Sequence, residues 1–103
     1  MAIEVLDKNN FDRTINSSPL PVIVDFYADW CAPCKRLAPI IEEVANENTG
    51  KVNVYKVNTD DEPELATQYD VMGIPNVVCF KGGEVYKRLV GLAPKDQVLQ
   101  LFE

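Results

Sequence analysis

The sequence contains no histidine and only three cysteines, so it is poor in side chains that bind transition metals. Structural zinc sites usually need four cysteine or histidine ligands, and this chain supplies three candidates. Three cysteines also cannot close a disulfide framework in which every cysteine is paired. We therefore expect no metal site and no cofactor. A zinc ion or an iron–sulfur cluster shared between two chains is the alternative that the cysteine count leaves open.

Basic residues are also scarce, since 10 lysines and arginines stand against 16 acidic residues and give a formal net charge of −6. An acidic surface repels phosphate backbones and anionic lipid headgroups. We therefore expect neither nucleic acid nor a membrane among the partners. No apolar run approaches the roughly 20 residues that a helix needs to cross a bilayer.

The amino terminus lacks the basic start and the long apolar stretch of a secretory signal peptide. We therefore expect a cytoplasmic protein, while a mature sequence that has lost an export signal is the open alternative. The 103 residues suit one compact domain, residues 1–103. A hydrophobic share of 47% and a charged share of 25% are typical of a globular chain.

Apolar periodicity predicts the element order βαβαβαββα. Residues 22–28 form a nearly unbroken apolar run, which is typical of a central strand buried on both faces. A helical pattern with one apolar stripe follows at residues 33–48, and Pro39 should kink it. Early alternation of strands and helices indicates parallel pairing, and the last two strands, 76–80 and 84–90, should form a hairpin. The fold class is therefore α/β, a mixed central sheet with helices on both faces.

Several smaller expectations concern single residues. Asp7 is expected to cap the first helix, which runs to about Ile15. Met72 and the tyrosines are interpreted as packing residues. Cys79 lies within an apolar strand and is interpreted as a small buried side chain, with a regulatory thiol as the alternative.

The tetrapeptide Cys31-Ala32-Pro33-Cys34 stands where the second predicted helix begins. The N–H groups of a helix's first turn are unpaired and carry partial positive charge. A cysteine at this point is stabilised as a thiolate and is therefore a nucleophile at neutral pH. Cys31 is the candidate nucleophile and is expected to be the exposed thiol, with assistance from Lys35. Cys34 can then attack the Cys31 sulfur.

The alternative for this pair is a permanently oxidised staple. A ring this small constrains little of the unfolded chain, so a staple here would add little stability. The two thiols therefore indicate thiol–disulfide exchange.

Asp25 interrupts the apolar run of the central strand. Burial makes a charged carboxylate costly, so its pKa should be raised. Such a group can accept the proton of Cys34 when that thiol must ionise. The alternative is an aspartate whose side chain reaches solvent at the strand end. Lys56, on the strand expected alongside, is a candidate partner that moderates the pKa of Asp25, or else an ordinary surface lysine.

Four segments of the chain, taken together and in order, resemble the thioredoxin family. They are Asp25-Phe26-Tyr27-Ala28-Asp29-Trp30-Cys31-Ala32-Pro33-Cys34-Lys35, Gly73-Ile74-Pro75, Lys81-Gly82-Gly83-Glu84 and Val90-Gly91. The likeness covers essentially the whole chain. It implies the thioredoxin fold, with a central five-stranded mixed sheet flanked by four helices. It also implies a monomeric protein-disulfide reductase and electron carrier.

The same resemblance implies partners. Oxidised proteins would be the substrates. A separate thioredoxin reductase, in most systems a flavoprotein that uses NADPH, would supply the electrons.

The resemblance also implies where substrates bind. Pro75 corresponds to the family's cis-proline facing the active disulfide, where backbone groups at Ile74 can pair with an extended substrate. A trans proline that opens a strand is the alternative. An apolar rim around Cys31 should suit flexible substrates. Its members are Trp30, Pro33, Ile74, Val90, Gly91 and Leu92.

Residues Ala32 and Pro33 are expected to tune the redox couple rather than to react. Their side chains carry neither charge nor donor, which favours a reductant over a strong oxidant. The sequence departs from the family's usual residues at Ala32 (usually Gly), at Tyr27 (commonly Trp) and at Asn76 (usually Thr). These departures bear on redox potential and partner preference. Two rival functions stay open: a redox-sensing binding module with the same fold, and an exported disulfide oxidase or isomerase.

Overall fold

A computed structural model describes residues 3–103 of the chain. Its strands and helices follow the predicted order, which is confirmed. They are β1 (Glu4–Val5), α1 (Phe11–Ser17), β2 (Val22–Tyr27), α2 (Ala32–Glu47), β3 (Asn53–Asn58), α3 (Pro63–Gln68), β4 (Asn76–Lys81), β5 (Glu84–Val90) and α4 (Lys95–Gln100). Within residues 3–103, no helix is both long enough and apolar enough to span a membrane.

The five strands form one mixed sheet in the order β1-β3-β2-β4-β5. The strands β1, β3 and β2 are parallel, whereas β4 runs antiparallel to β2 and pairs with the edge strand β5. The connection between β4 and β5 is the two-residue loop Gly82-Gly83, where both glycines have positive φ. Such a backbone is typical of tight hairpin turns. The five-stranded α/β architecture expected from the sequence is confirmed.

Apolar side chains form a core on each face of the sheet. One core joins β2 and β4 to α1 through the rings of Phe11, Phe26 and Phe80, and α3 contributes Leu65 to it. The other core joins the sheet to α2 and α4 through Leu37 and Val98, among others. Because side chains alternate along a strand, Asp25 faces the same side as Ile23, toward α2. The buried aspartate is therefore on the face that carries the cysteines.

Helix α2 starts just beyond the carboxyl end of β2. Cys31 is its N-cap residue. The sequence pattern predicted a helix that begins at Pro33, whereas the helix begins at Ala32 and Pro33 is its second residue. The buried stripe is formed by Cys34, Leu37, Ile41 and Val44. The helix continues without interruption through Pro39, and the kink expected there stays a prediction.

The prediction that Asp7 caps α1 is wrong, because the helix begins about one turn further along the chain. Asp7 accepts bonds from the backbone N–H groups of Asn9 and Asn10, at 2.8 and 3.2 Å, so it closes a turn that precedes the helix. The helix itself begins at Phe11 and extends two residues past Ile15. Short polar side chains cap such turns as readily as helices, and the sequence does not separate the two cases.

Candidate active site

The cysteines Cys31 and Cys34 are joined in a disulfide at the first turn of α2, with Cα atoms 5.2 Å apart. The backbone N–H of Cys34 donates to the Cys31 Sγ, with an N–S distance of 3.2 Å. This is one of the first-turn N–H groups that no carbonyl within the helix satisfies. When the disulfide is reduced, the same N–H and the helix dipole can stabilise negative charge on the Cys31 sulfur.

Both cysteines of the pair are buried, each with 4% of its surface exposed. The expectation that Cys31 is an exposed thiol is therefore wrong for this disulfide form. Its sulfur is bonded to Cys34, and the pair packs with Ala28 and the half-buried Ile74. In this form the Cys31 sulfur is therefore largely covered by neighbouring side chains.

The loop that precedes β4 lies against this disulfide. The Ile74–Pro75 peptide bond is cis, the isomer that the resemblance implied, and the Ile74 carbonyl oxygen lies 3.9 Å from the Cys31 Sγ. Among residues 3–103, no backbone carbonyl accepts from the Ile74 N–H. The Pro75 carbonyl accepts from the N–H of Gly91 at 2.8 Å, which ties the loop to the end of β5.

Exposed apolar side chains occur on the segments that surround Cys31. The exposed fractions are 70% for Trp30, 60% for Val90 and 48% for Leu92. Met72 is 95% exposed, so its interpretation as a packing residue is wrong. It lies in the loop between α3 and β4, where neither sheet face covers it. Ile74 and Pro33 are half-buried.

The side chain of Trp30 is fixed by a neighbour. Its indole Nε1–H donates to the Asp60 Oδ2 at 2.9 Å. The polar edge of the ring is thereby satisfied, while most of its apolar surface stays in solvent. A large aromatic group held in this way offers contact area at little entropic cost.

Burial raises the pKa of Asp25 to about 7, while the charge of Lys56 opposes part of that rise. The residue is only 4% exposed, and its Oδ1 has no hydrogen-bond partner among the described residues. A carboxyl group that titrates near neutral pH can take up a proton and release it again.

A cleft of about 320 Å³ connects Asp25 with Cys34. Its lining residues are Asp25, Tyr27, Ala28, Asp29, Cys34, Lys35, Ala38 and Lys56. The cleft is open to solvent, so a water molecule entering it can carry a proton between Cys34 and the Asp25 carboxyl group. The structure therefore brings Cys34, Asp25 and Lys56 together, as the sequence predicted.

The cation of Lys56 does not form an ion pair with Asp25, although the two residues are direct neighbours in the β2–β3 register. Within residues 3–103, the ion pairs involve Lys95 instead. The Lys56 Nζ lies 5.2 Å from the centre of the Tyr27 ring, at the mouth of the cleft. Lys56 consequently affects Asp25 through its field rather than through a hydrogen bond.

Two residues near the site were missed or left unexplained by the sequence. Asn76, which follows Pro75, is buried and accepts a hydrogen bond from Arg88 at 3.0 Å. Only the departure from the family's usual residue at position 76 pointed to it, and nothing in the sequence pointed to Arg88.

Cys79 is fully buried, and burial raises the pKa of its thiol, which suits an inert packing residue.

The comparisons with known proteins agree with this geometry. The family model described as Thioredoxin matches residues 2–103. The chain belongs to the thioredoxin family. The chloroplastic M-type thioredoxins of Spinacia oleracea and Pisum sativum are 45% and 44% identical to it, over 97% and 98% of this chain. The thioredoxin of Rickettsia bellii is 44% identical over 97% of this chain.

Coverage of these relatives differs. The chain spans 56% and 59% of the two chloroplastic proteins but 94% of the bacterial one.

Between residues 3 and 103, no group of three or more histidine, cysteine, aspartate or glutamate side chains could hold a metal ion. The expectation of no resident cofactor stays a prediction.

Asp25→Asn should change how stability depends on pH. The pKa of Asp25 is about 7 in the folded protein, whereas its ordinary value is 3.8. In the window between these two pH values, the folded state therefore binds more protons than the unfolded state. Stability of the unsubstituted protein should therefore fall as the pH rises through the window, by roughly 4 kcal/mol in all. Urea unfolding of both oxidised proteins, below and above the window, measures this difference.

The control for this prediction is Asp29→Asn, which removes an exposed carboxylate from the same cleft. The free energy of unfolding of Asp25→Asn should exceed that of the unsubstituted protein by an amount that grows with pH. For the control, the difference from the unsubstituted protein should not grow with pH. An advantage of the same size at both pH values would show that Asp25 titrates normally.

Proposed function

We propose that this protein is a protein-disulfide reductase and electron carrier that works by dithiol–disulfide exchange. The observation that carries the proposal is the Cys31–Cys34 disulfide at a helix start, beside the cleft that also holds the buried Asp25. The rival binding module does not require a carboxyl group with a raised pKa next to the second cysteine. A catalyst that must ionise Cys34 in each cycle does require one.

The reaction begins with the reduced protein. The Cys31 thiolate attacks one sulfur of a substrate disulfide, the substrate S–S bond breaks, and the departing substrate thiolate takes up a proton. The product is a mixed disulfide between Cys31 and the substrate. The N–H of Cys34 and the helix dipole lower the free energy of the thiolate before attack.

The second step releases the substrate. Cys34 gives its proton to the Asp25 carboxylate, directly or through water, and its sulfur attacks the Cys31 Sγ. The mixed disulfide breaks, and the second substrate thiolate leaves and is protonated. The substrate has gained two electrons, and the protein has lost two and holds the Cys31–Cys34 disulfide of this structure. Asp25 then returns its proton to solvent through the cleft.

Substrate binding is proposed to use backbone pairing and apolar contact. The unpaired N–H of Ile74 stands beside the cis Pro75 and close to Cys31, so an extended substrate segment can add to it as a strand would. Trp30, Val90 and Leu92 are exposed on neighbouring segments and offer contact that any apolar side chain can use. Gly91, with a φ of 92°, allows the chain to turn after β5.

Several finer features belong to the proposal. Ala32 and Pro33 tune the redox couple, and Lys56 moderates the pKa of Asp25. A thioredoxin reductase, a flavoprotein that uses NADPH, supplies the electrons, and oxidised proteins receive them. Residues 1–103 act as one monomeric domain in the cytoplasm. Support for these features comes from family membership.

Cysteine substitutions separate the two steps. With thioredoxin reductase as the electron source and insulin as the disulfide substrate, Cys31→Ser should lose turnover because no nucleophile is left. Cys34→Ser should still attack and should accumulate mixed disulfides because the resolving thiol is absent. Cys79→Ser is the control and should keep full turnover.

Full turnover by Cys31→Ser would refute the mechanism. Cys34→Ser also tests the binding-module alternative when it is exposed to a mixture of oxidised proteins. A reductase should capture many of them, and capture of a single partner would favour the binding module.

Asp25→Asn should slow release of the mixed disulfide, since Cys34 then lacks a proton acceptor. General base catalysis is typically worth at least about 10²-fold in rate, which sets the expected loss. Single-turnover quench experiments measure formation and decay of the mixed disulfide separately. Formation should be unchanged, and decay in the Asp29→Asn control should match that of the unsubstituted protein. Unchanged decay in Asp25→Asn would reject the base role.

A further inference from the structure

The guanidinium group of Arg88 connects the two ends of the loop that precedes β4. Arg88 lies on β5 opposite Val78, and therefore on the face of the sheet that carries α1 and α3. Its Nη1 donates to the Asn76 Oδ1 at 3.0 Å, and its Nη2 donates to the Tyr69 carbonyl oxygen at 2.6 Å. One side chain thus contacts the residue before the loop and the residue after it.

Asn76 extends this connection into the loop. Its Nδ2 donates to the Gly73 carbonyl oxygen at 3.3 Å, and only 2% of the residue is exposed. Both ends of the amide are therefore used, one as acceptor from Arg88 and one as donor to the loop. A threonine, the usual family residue here, has one hydroxyl group and cannot span both contacts in the same way.

The segment held by this network is the one that faces the disulfide. Residues 70–75 run across the edge of the molecule, where Met72 is almost fully exposed and Asp70 has a left-handed φ of 58°. Within this segment, Ile74 brings its carbonyl oxygen to within 3.9 Å of the Cys31 Sγ. Backbone bonds hold both ends of the segment: the N–H groups of Asp70 and Val71 donate to carbonyls of α3, and Gly91 donates to the Pro75 carbonyl. The side-chain hydrogen bond to its middle comes from Asn76, which Arg88 holds in turn.

We propose that Arg88 and Asn76 are positioning residues, which hold the Ile74–Pro75 backbone at the spacing that a peptide substrate needs to pair beside Cys31. The inference rests on the proposed reductase function and identifies what makes the site prefer disulfides within polypeptides. A small disulfide without a peptide backbone does not use this pairing. Its reduction should therefore be independent of the network.

The two contacts of Arg88 suit the geometry of a guanidinium group. A guanidinium group presents several donors in a rigid plane and can hold two acceptors at fixed positions, whereas an ammonium group is a single flexible point charge. Hydrogen bonds from a charged donor are also shorter and stronger than neutral ones. Lysine at position 88 should keep the charge but lose the simultaneous contact with Asn76 and Tyr69.

The test compares two disulfide substrates in the reductase-driven assay. Arg88→Lys, Arg88→Met and Asn76→Leu should each raise KM for insulin by about tenfold with kcat nearly unchanged, since loss of about one backbone hydrogen bond to the substrate weakens binding by roughly this factor. The rate with bis(2-hydroxyethyl) disulfide should stay within about twofold, because the cysteines are not disturbed. Asn76→Asp keeps the acceptor for Arg88 and should fall between the unsubstituted protein and Asn76→Leu.

The matched control is Lys87→Met, which removes the same charge from the neighbouring position of β5. Lys87 contacts the Gln100 carbonyl oxygen of α4 at 3.1 Å, on the opposite face of the sheet. This variant should behave as the unsubstituted protein with both substrates. Arg88→Lys is the mildest change, so it tests the inference even if Arg88→Met does not fold.

Two results would overturn the inference. Equal losses with insulin and with the small disulfide would mean that the network supports reactivity or folding rather than peptide binding. An unchanged KM for insulin in the folded Arg88→Lys and Asn76→Leu variants would mean that the loop keeps its position without the network. If the unsubstituted protein reduces neither substrate, the proposed function fails first and the inference falls with it.

Discussion

The chemistry of this protein depends on where the first turn of α2 stands relative to the end of β2. In this turn the backbone N–H of Cys34 donates to the sulfur of Cys31, and the positive end of a sixteen-residue helix points toward the same sulfur. Both groups are fixed by the apolar stripe that packs α2 on the sheet. We propose that, in the reduced protein, this backbone stabilises negative charge on the Cys31 sulfur.

The second constraint is the cost of keeping a carboxyl group in the core. Asp25 stands between apolar neighbours on the central strand, and its unpartnered oxygen and raised pKa reflect that position. A leucine or asparagine would suit the core better. The sheet register nevertheless brings Asp25 to the face of α2, in the cleft it shares with Cys34. In the proposed mechanism, the stability given up at this position provides the proton acceptor for the second half of the exchange.

Sequence reasoning predicted the fold and the place of the two cysteines because both depend on strong local patterns, whereas the cis proline facing the disulfide was expected only from the family resemblance. The apolar run of β2 and the stripe of α2 determine the sheet and its principal helix, and the tetrapeptide at their junction determines the disulfide. What it could not predict depends on tertiary packing. Burial of Cys31 follows from the approach of Ile74, which is 43 residues away. The Arg88–Asn76 contact joins the adjacent strands β4 and β5 through their side chains, and exposure of Met72 follows from the course of a loop. None of these has a local signature.

Ionisation of the cysteines in the reduced protein tests the central claim most directly. The pH dependence of thiolate absorbance and of iodoacetamide alkylation, read at each cysteine by mass spectrometry, separates Cys31 from Cys34 and Cys79. The account predicts that Cys31 is ionised in substantial part at neutral pH and reacts first, while Cys34 and the buried Cys79 stay protonated. If Cys31 is protonated at neutral pH and reacts no faster than the other two, the helix start does not activate it and the account is wrong.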